Sequence, residues 1–140
     1  MAKFDMYNSV KAVRVASPFD QADTTNLVGE VVDTTGFEGV VFLFLTGAIN
    51  DLVSTILIEQ SATSGGSYAA VPDAQLHGLE TALTIAADDD DKVAQIGVRN
   101  TLPWVRATFV VTTGSGVNLI AAIALLGLPA RAATTPAAFN

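Results

Sequence analysis

Short apolar, β-branched runs recur along this chain. Gly, Pro, Asp or Ser cuts off all but the last before it reaches the length of a buried helix. Residues 10–16 carry Val10, Val13 and Val15, with Lys11 and Arg14 between them, until Ser17-Pro18. Residues 27–33 mix Val28, Val31 and Val32 with Glu30 and run into the turn Asp33-Thr34-Thr35-Gly36. Residues 40–45 are uninterruptedly apolar between Gly39 and Gly47, which predicts a strand buried on both faces. Residues 53–61 carry Ile56, Leu57 and Ile58 and then turn polar. A Ser/Gly loop over 61–67 follows, and 68–71 form a short strand that Pro72 stops. Residues 104–112 alternate most cleanly: Val105, Ala107, Phe109 and Val111 share one face, and Arg106, Thr108 and Thr112 the other.

Residues 81–86, with Leu83 and Ile85 on one side, and residues 92–99, with Ala94, Ile96 and Val98 on one side, flank four consecutive carboxylates, Asp88 to Asp91. The pattern predicts a β-hairpin with an acidic tip. Residues 117–128 are apolar almost throughout. They are too few to span a bilayer as a helix. Ala, Leu and Ile also suit a buried helix, but the segment follows Gly114-Ser115-Gly116 directly after a strand, which is hairpin spacing and favours a last long strand. The expected fold is all-β: an antiparallel β-sandwich or jelly-roll of about eight strands over residues 10–128. Residues 1–9 and the Ala/Thr/Pro-rich residues 129–140 are expected to be terminal arms that order on a neighbour.

Composition narrows the function. The 140 residues include no cysteine, which removes thiol nucleophiles, zinc–thiolate sites, iron–sulfur centres and disulfide scaffolds. The net charge of −7 argues against a nucleic-acid surface, because phosphate binding concentrates Lys and Arg. The N-terminus lacks a basic start followed by an apolar run, so no signal peptide is expected, and no membrane partner. Only 15% of residues are charged, against about 25% in an ordinary domain. A small domain with so few charges is expected to bury part of its surface on a partner.

No residue cluster points to catalysis. Asp88 to Asp91 lack the spaced pattern of a calcium loop, and mutual repulsion predicts a solvated tip. His77 is the sole histidine. Asp73 and Glu80 are near it in sequence, but no nucleophile elbow exists and no multi-His metal site can form. Asp33, Glu38, Asp51 and Glu59 lie near strand ends without a spacing that sequence can measure. The glycines form neither a Walker nor a dinucleotide fingerprint. The expectation is a non-enzyme with no cofactor and no metal. Trp104, Arg131 and Phe139 are the candidate interface residues, and Trp104 also reads as a core anchor.

Asp33-Thr34-Thr35-Gly36-Phe37 leads into Gly39-Val40-Val41-Phe42-Leu43. Glu59-Gln60-Ser61 then precedes the Ser/Gly loop and Tyr68, and Pro103-Trp104-Val105-Arg106-Ala107 opens the strand before the last apolar one. In this order, over roughly residues 10–128, the chain resembles the decoration, or cement, proteins of tailed-bacteriophage capsids. The resemblance implies a β-sandwich or jelly-roll in the virion, on the outer surface of an icosahedral capsid. It implies the major capsid protein as partner, a homotrimer or other homo-oligomer as the assembly, and capsid stabilisation as the role. The family supplies no catalytic residues. Related sandwiches serve in phage tails, vertices and spikes, so the alternative expectation is a module that recognises carbohydrate or a receptor, with Tyr68 and Trp104 as its aromatics.

Overall fold

A computed structural model of the protein describes residues 6–99 and 102–129. A single helical turn, α1 (Met6–Ser9), precedes the strands β1 (Val10–Asp20), β2 (Leu27–Val28), β3 (Val32–Asp33), β4 (Phe37–Ile49) and β5 (Val53–Ser61). The remaining strands are β6 (Ala69–Ala70), β7 (Leu76–His77), β8 (Val93–Val98), β9 (Trp104–Thr113) and β10 (Asn118–Pro129). They pair antiparallel into two sheets, one in the order β1-β10-β4-β8-β7 and the other β2-β9-β5-β6, with β3 also on β9. The protein is an all-β sandwich.

The core lies between the sheets and is built by alternation. Val40, Phe42 and Phe44 of β4, Ile96 and Val98 of β8, and Ile120, Ala122, Ala124 and Leu126 of β10 point inward from one sheet. Ile56 and Ile58 of β5 and Val105, Ala107 and Phe109 of β9 point inward from the other. Large and small residues are matched across the strands: Ala122 lies opposite Phe44 and Ala124 opposite Phe42. The small neighbours leave Phe44 room to meet Phe109 edge-on, with ring centroids 5.6 Å apart, and so join the sheets.

Several connections depart from the expectations of local pattern. Gly114-Ser115-Gly116 does not close a hairpin. β9 and β10 belong to different sheets, so this turn arches across the sandwich, as residues 50–52 do between β4 and β5. The acidic hairpin does not form either, because residues 80–83 are a 3-10 turn and β8 pairs instead with β4 and β7. The free edge of β5 draws in residues 71–85. Val71 N donates to Ile58 O at 2.9 Å, Ile58 N donates to the Glu80 carboxylate at 2.6 Å, and Ile85 and Ser54 exchange two backbone bonds. An edge that would otherwise offer unpaired backbone is closed in this way.

Residues 27–33 split into β2 and β3 around Gly29, whose N–H reaches Ala107 O of one sheet while Glu30 N reaches Val15 O of the other. A Cβ on Gly29 would stand 2.7 Å from both Ala107 O and Val15 Cγ1, so only glycine fits this crossing. β1 continues through Pro18, past the stop that Ser17-Pro18 predicted. It is an edge strand with two register shifts, and there the missing N–H leaves no ladder bond unmade. Of the expected arms, residues 6–9 form α1. Residues 1–5 and 130–140 lie outside the described residues.

Candidate functional site: an uncovered apolar sheet face

β4 was expected to be buried on both faces, and only one face is. Val40, Phe42 and Phe44 are in the core, whereas Val41 and Leu43 are half-buried and Leu45 is 39% exposed. The register places Ala121, Leu45 and Val93 in one row across β10, β4 and β8. Ile123, Leu43 and Gln95 form the next row, and Leu125, Val41 and Gly97 the third. Directly opposite residues share a face, so these rows form one continuous outer surface. Three strands about 4.8 Å apart over six residue steps of about 3.3 Å give roughly 300 Å². That is the lower end of the range for the largest apolar patch on an ordinary monomer, about 300–600 Å², a patch that is often functional.

Charge is pushed to the margins of this surface. Arg14, opposite Ile123 on the β1 edge, is drawn aside by Ser17 Oγ at 3.1 Å and by Glu30 at 3.8 Å. His77, on the β7 edge, lies opposite Gly97 and is exposed. Beyond the third row, Gly127 and Gly39 lie side by side on β10 and β4. A Cβ on either would meet nothing within 4 Å. Their missing side chains open a groove of about 600 Å³, walled by Val41, Leu43 and Leu125, with Glu38 and Arg99 among its lining.

The outer face of the other sheet is different in kind. Arg106 grips Glu59 through Nε at 2.9 Å and Nη2 at 3.2 Å, and Thr108 Oγ1 donates to the same carboxylate at 2.7 Å. The Tyr68 ring covers the guanidinium at 4.1 Å. Burial acts to raise the Glu59 carboxyl. The bonds from Arg106 and Thr108 and the guanidinium charge outweigh it and hold the group below the ordinary carboxylate range. Burial raises the Tyr68 hydroxyl, which donates to Ser64 O at 2.9 Å. One face of Tyr68 is thus committed to Arg106, which leaves less of the ring for stacking on a sugar. Trp104 is not part of the core. It stands half-buried on this same face, two residues from Arg106 and opposite Asp33 and Ser61. The other two candidate interface residues, Arg131 and Phe139, lie outside the described residues.

Asp88, Asp90 and Asp91 of the acidic run are exposed, as repulsion predicted, but the run is not free of partners. Asp89 accepts from Ala86 N and from Lys92 Nζ, each at 2.8 Å, and Asp90 accepts from Ile49 N at 2.5 Å. Thr46 Oγ1 donates to Asp89 O and accepts from Lys92 N. These bonds clamp the run against the end of β4. The Lys92 hydrogen bond, helped by Ala86 N–H, lowers the Asp89 carboxyl. Among the described residues no three His, Asp or Glu side chains are grouped to hold a metal ion. Near His77, the Glu80 carboxylate is engaged by Ile58 N.

A polar hub in the core went unseen in the apolar run 117–128. Asn118 is fully buried. Its Nδ2 donates to Gln21 O and Ser115 O, both at 2.9 Å, and its Oδ1 accepts from Asn50 N at 2.9 Å and Asp51 N at 3.1 Å. It ties the end of β1 to both arches. The hint in sequence was a single amide at the head of an otherwise apolar segment. No protein-family model matches this chain, and a search of curated proteins finds no match.

Proposed function

We propose that this protein is a structural virion subunit that binds the outer surface of an icosahedral phage capsid and stabilises it. The observation that carries the reading is the uncovered apolar surface of β10, β4 and β8, in a chain with few charges to mask it. A stable interface buries about 800 Å² per partner with an apolar centre and a polar rim. The rows around Leu43 and Ile123 supply such a centre, and Arg14, Gln95, His77 and Lys92 ring it. The partner in this reading is the major capsid protein, with further copies of the chain meeting at capsomer junctions as a homotrimer or other homo-oligomer. The mechanism is added contact area: apolar burial worth about 25 cal/mol per Å² before association costs. Nothing in it requires catalysis or a cofactor. A net charge of −7 suits the outside of a particle, away from packaged DNA.

Cryo-electron microscopy of the virion tests the reading. Many copies on the shell with the β10–β4–β8 face against the capsid support it. A few copies at a vertex or tail, or shell copies with that face turned to solvent, overturn it. Ile123→Glu places a charge at the centre of the surface. It should leave the sandwich folded while shell binding falls at least tenfold.

A further inference from the structure

The glycine-floored groove lies at the end of the sheet where β10 finishes, and the chain continues beyond it. We propose that residues 130–140 of the same molecule lie in this groove and cover it. This inference does not rest on the capsid reading: the segment covers the Gly39–Gly127 and Val41–Leu125 end of the face and leaves the rows of Ile123 and Leu45 for a partner.

Four observations support it. The first is position: Pro129, the last residue of β10, lies opposite Phe37, two residues past the Gly127–Gly39 pair. Leu128 lines the groove with a φ of 54°, a left-handed kink in the strand just before its last paired residue. The second is length: Phe139 is ten residues past Pro129, a reach of roughly 33 Å, whereas the sheet from β10 to β7 spans only about 14 Å. The chain can reverse over the sheet and still cross the groove. The third is composition: the segment is Ala, Thr and Pro with one charge, Arg131, one aromatic, Phe139, and Asn140, which suits a shallow apolar trough floored by glycine. The fourth is charge: Glu38 borders the groove, is exposed, and makes no ion pair among the described residues. It follows Phe37 directly, within reach of Arg131. A tether this short holds the segment at millimolar effective concentration, which favours the molecule's own groove over a neighbour's.

The chain has no cysteine, so Asn140→Cys gives one attachment point for a spin label on the full chain. In a ¹⁵N-labelled sample the amide signals of Val41, Gly97 and Leu125 should be lost, while those of Thr55 and Val110 on the opposite sheet persist. Gly39→Leu puts a side chain into the groove from a position where a Cβ meets nothing within 4 Å, and should restore the lost signals. Gly127→Val serves the same purpose should the first variant not fold. A mixture of unlabelled spin-bearing protein and ¹⁵N protein without the spin label should show no loss. Retention of the three signals in the labelled chain overturns the proposal. So does loss in the mixture, which would place the segment on a second copy, and so does loss that survives a filled groove.

Discussion

Replacing Asn118 with alanine removes four hydrogen bonds at one stroke. The backbone groups left behind are Gln21 O, Ser115 O, Asn50 N and Asp51 N. Each such bond is worth about 0.5–1.5 kcal/mol net, and more where the abandoned partner stays buried. Asn50 N keeps a second acceptor in Val117 O at 3.2 Å, and Ser115 and Asp51 sit close enough to the surface to recruit water. Those reliefs place the expected loss at about 3–4 kcal/mol. An unfolding entropy of about 2.1 cal/mol/K per residue makes this a fall in Tm of roughly 10–14 °C for a domain of this size. Urea denaturation followed by tryptophan fluorescence measures the free energy, since Trp104 is the sole tryptophan. Hydrogen exchange at Asn50 and Asp51 should accelerate more than exchange in the distant pairs of β4 with β8. A loss below about 1 kcal/mol, or exchange that rises uniformly, would refute the idea that one amide holds the two arches to β1.

Four further outcomes follow from the same geometry. Gly29→Ala forces a methyl against Ala107 O and Val15 and should cost about 1–3 kcal/mol in urea denaturation. Arg106→Ala leaves the Glu59 carboxylate largely buried with only Thr108 as a side-chain partner, and should cost about 2–3 kcal/mol by the same assay. The folded-state pKa values of Glu59 and Asp89 are depressed, so their contribution is full above the ordinary carboxylate range and is lost as pH falls through the depressed values. A Tm profile from neutral to acid pH should fall there, and Glu59→Gln should flatten part of the fall. Gly39→Leu, by contrast, should leave Tm within a few degrees, because a Cβ there meets nothing within 4 Å among the described residues and the backbone is ordinary strand.

The sandwich was legible because alternation is a local signal. Residues 104–112 assigned Val105, Ala107, Phe109 and Val111 to the core before any partner strand was known, and all four are buried. Residues 53–61 coincide with β5, and 117–128 with β10 within a residue. The same signal misled at 81–86. Leu83 and Ile85 are indeed buried, but the segment serves as a cover for the edge of β5, and burial alone does not distinguish a cover from a strand. The turn at 114–116 announced a reversal of direction. It could not announce that the next strand joins the other sheet.

The candidate site shows the division most clearly. Sequence established that both sides of β4 carry apolar side chains, since Val40 to Leu45 has no polar member. Hydrophobicity states a preference for burial and does not name what supplies it. Tertiary structure decided that the partner sheet packs on the Phe42 and Phe44 side alone, so that among the described residues Leu43, Ile123 and Leu125 have no second layer. It also decided that Gly39 and Gly127, eighty-eight positions apart, meet as neighbours and open a groove. Composition and pattern are properties of consecutive residues. A face, a groove and the hub at Asn118 are properties of register, which exists only once distant strands have paired.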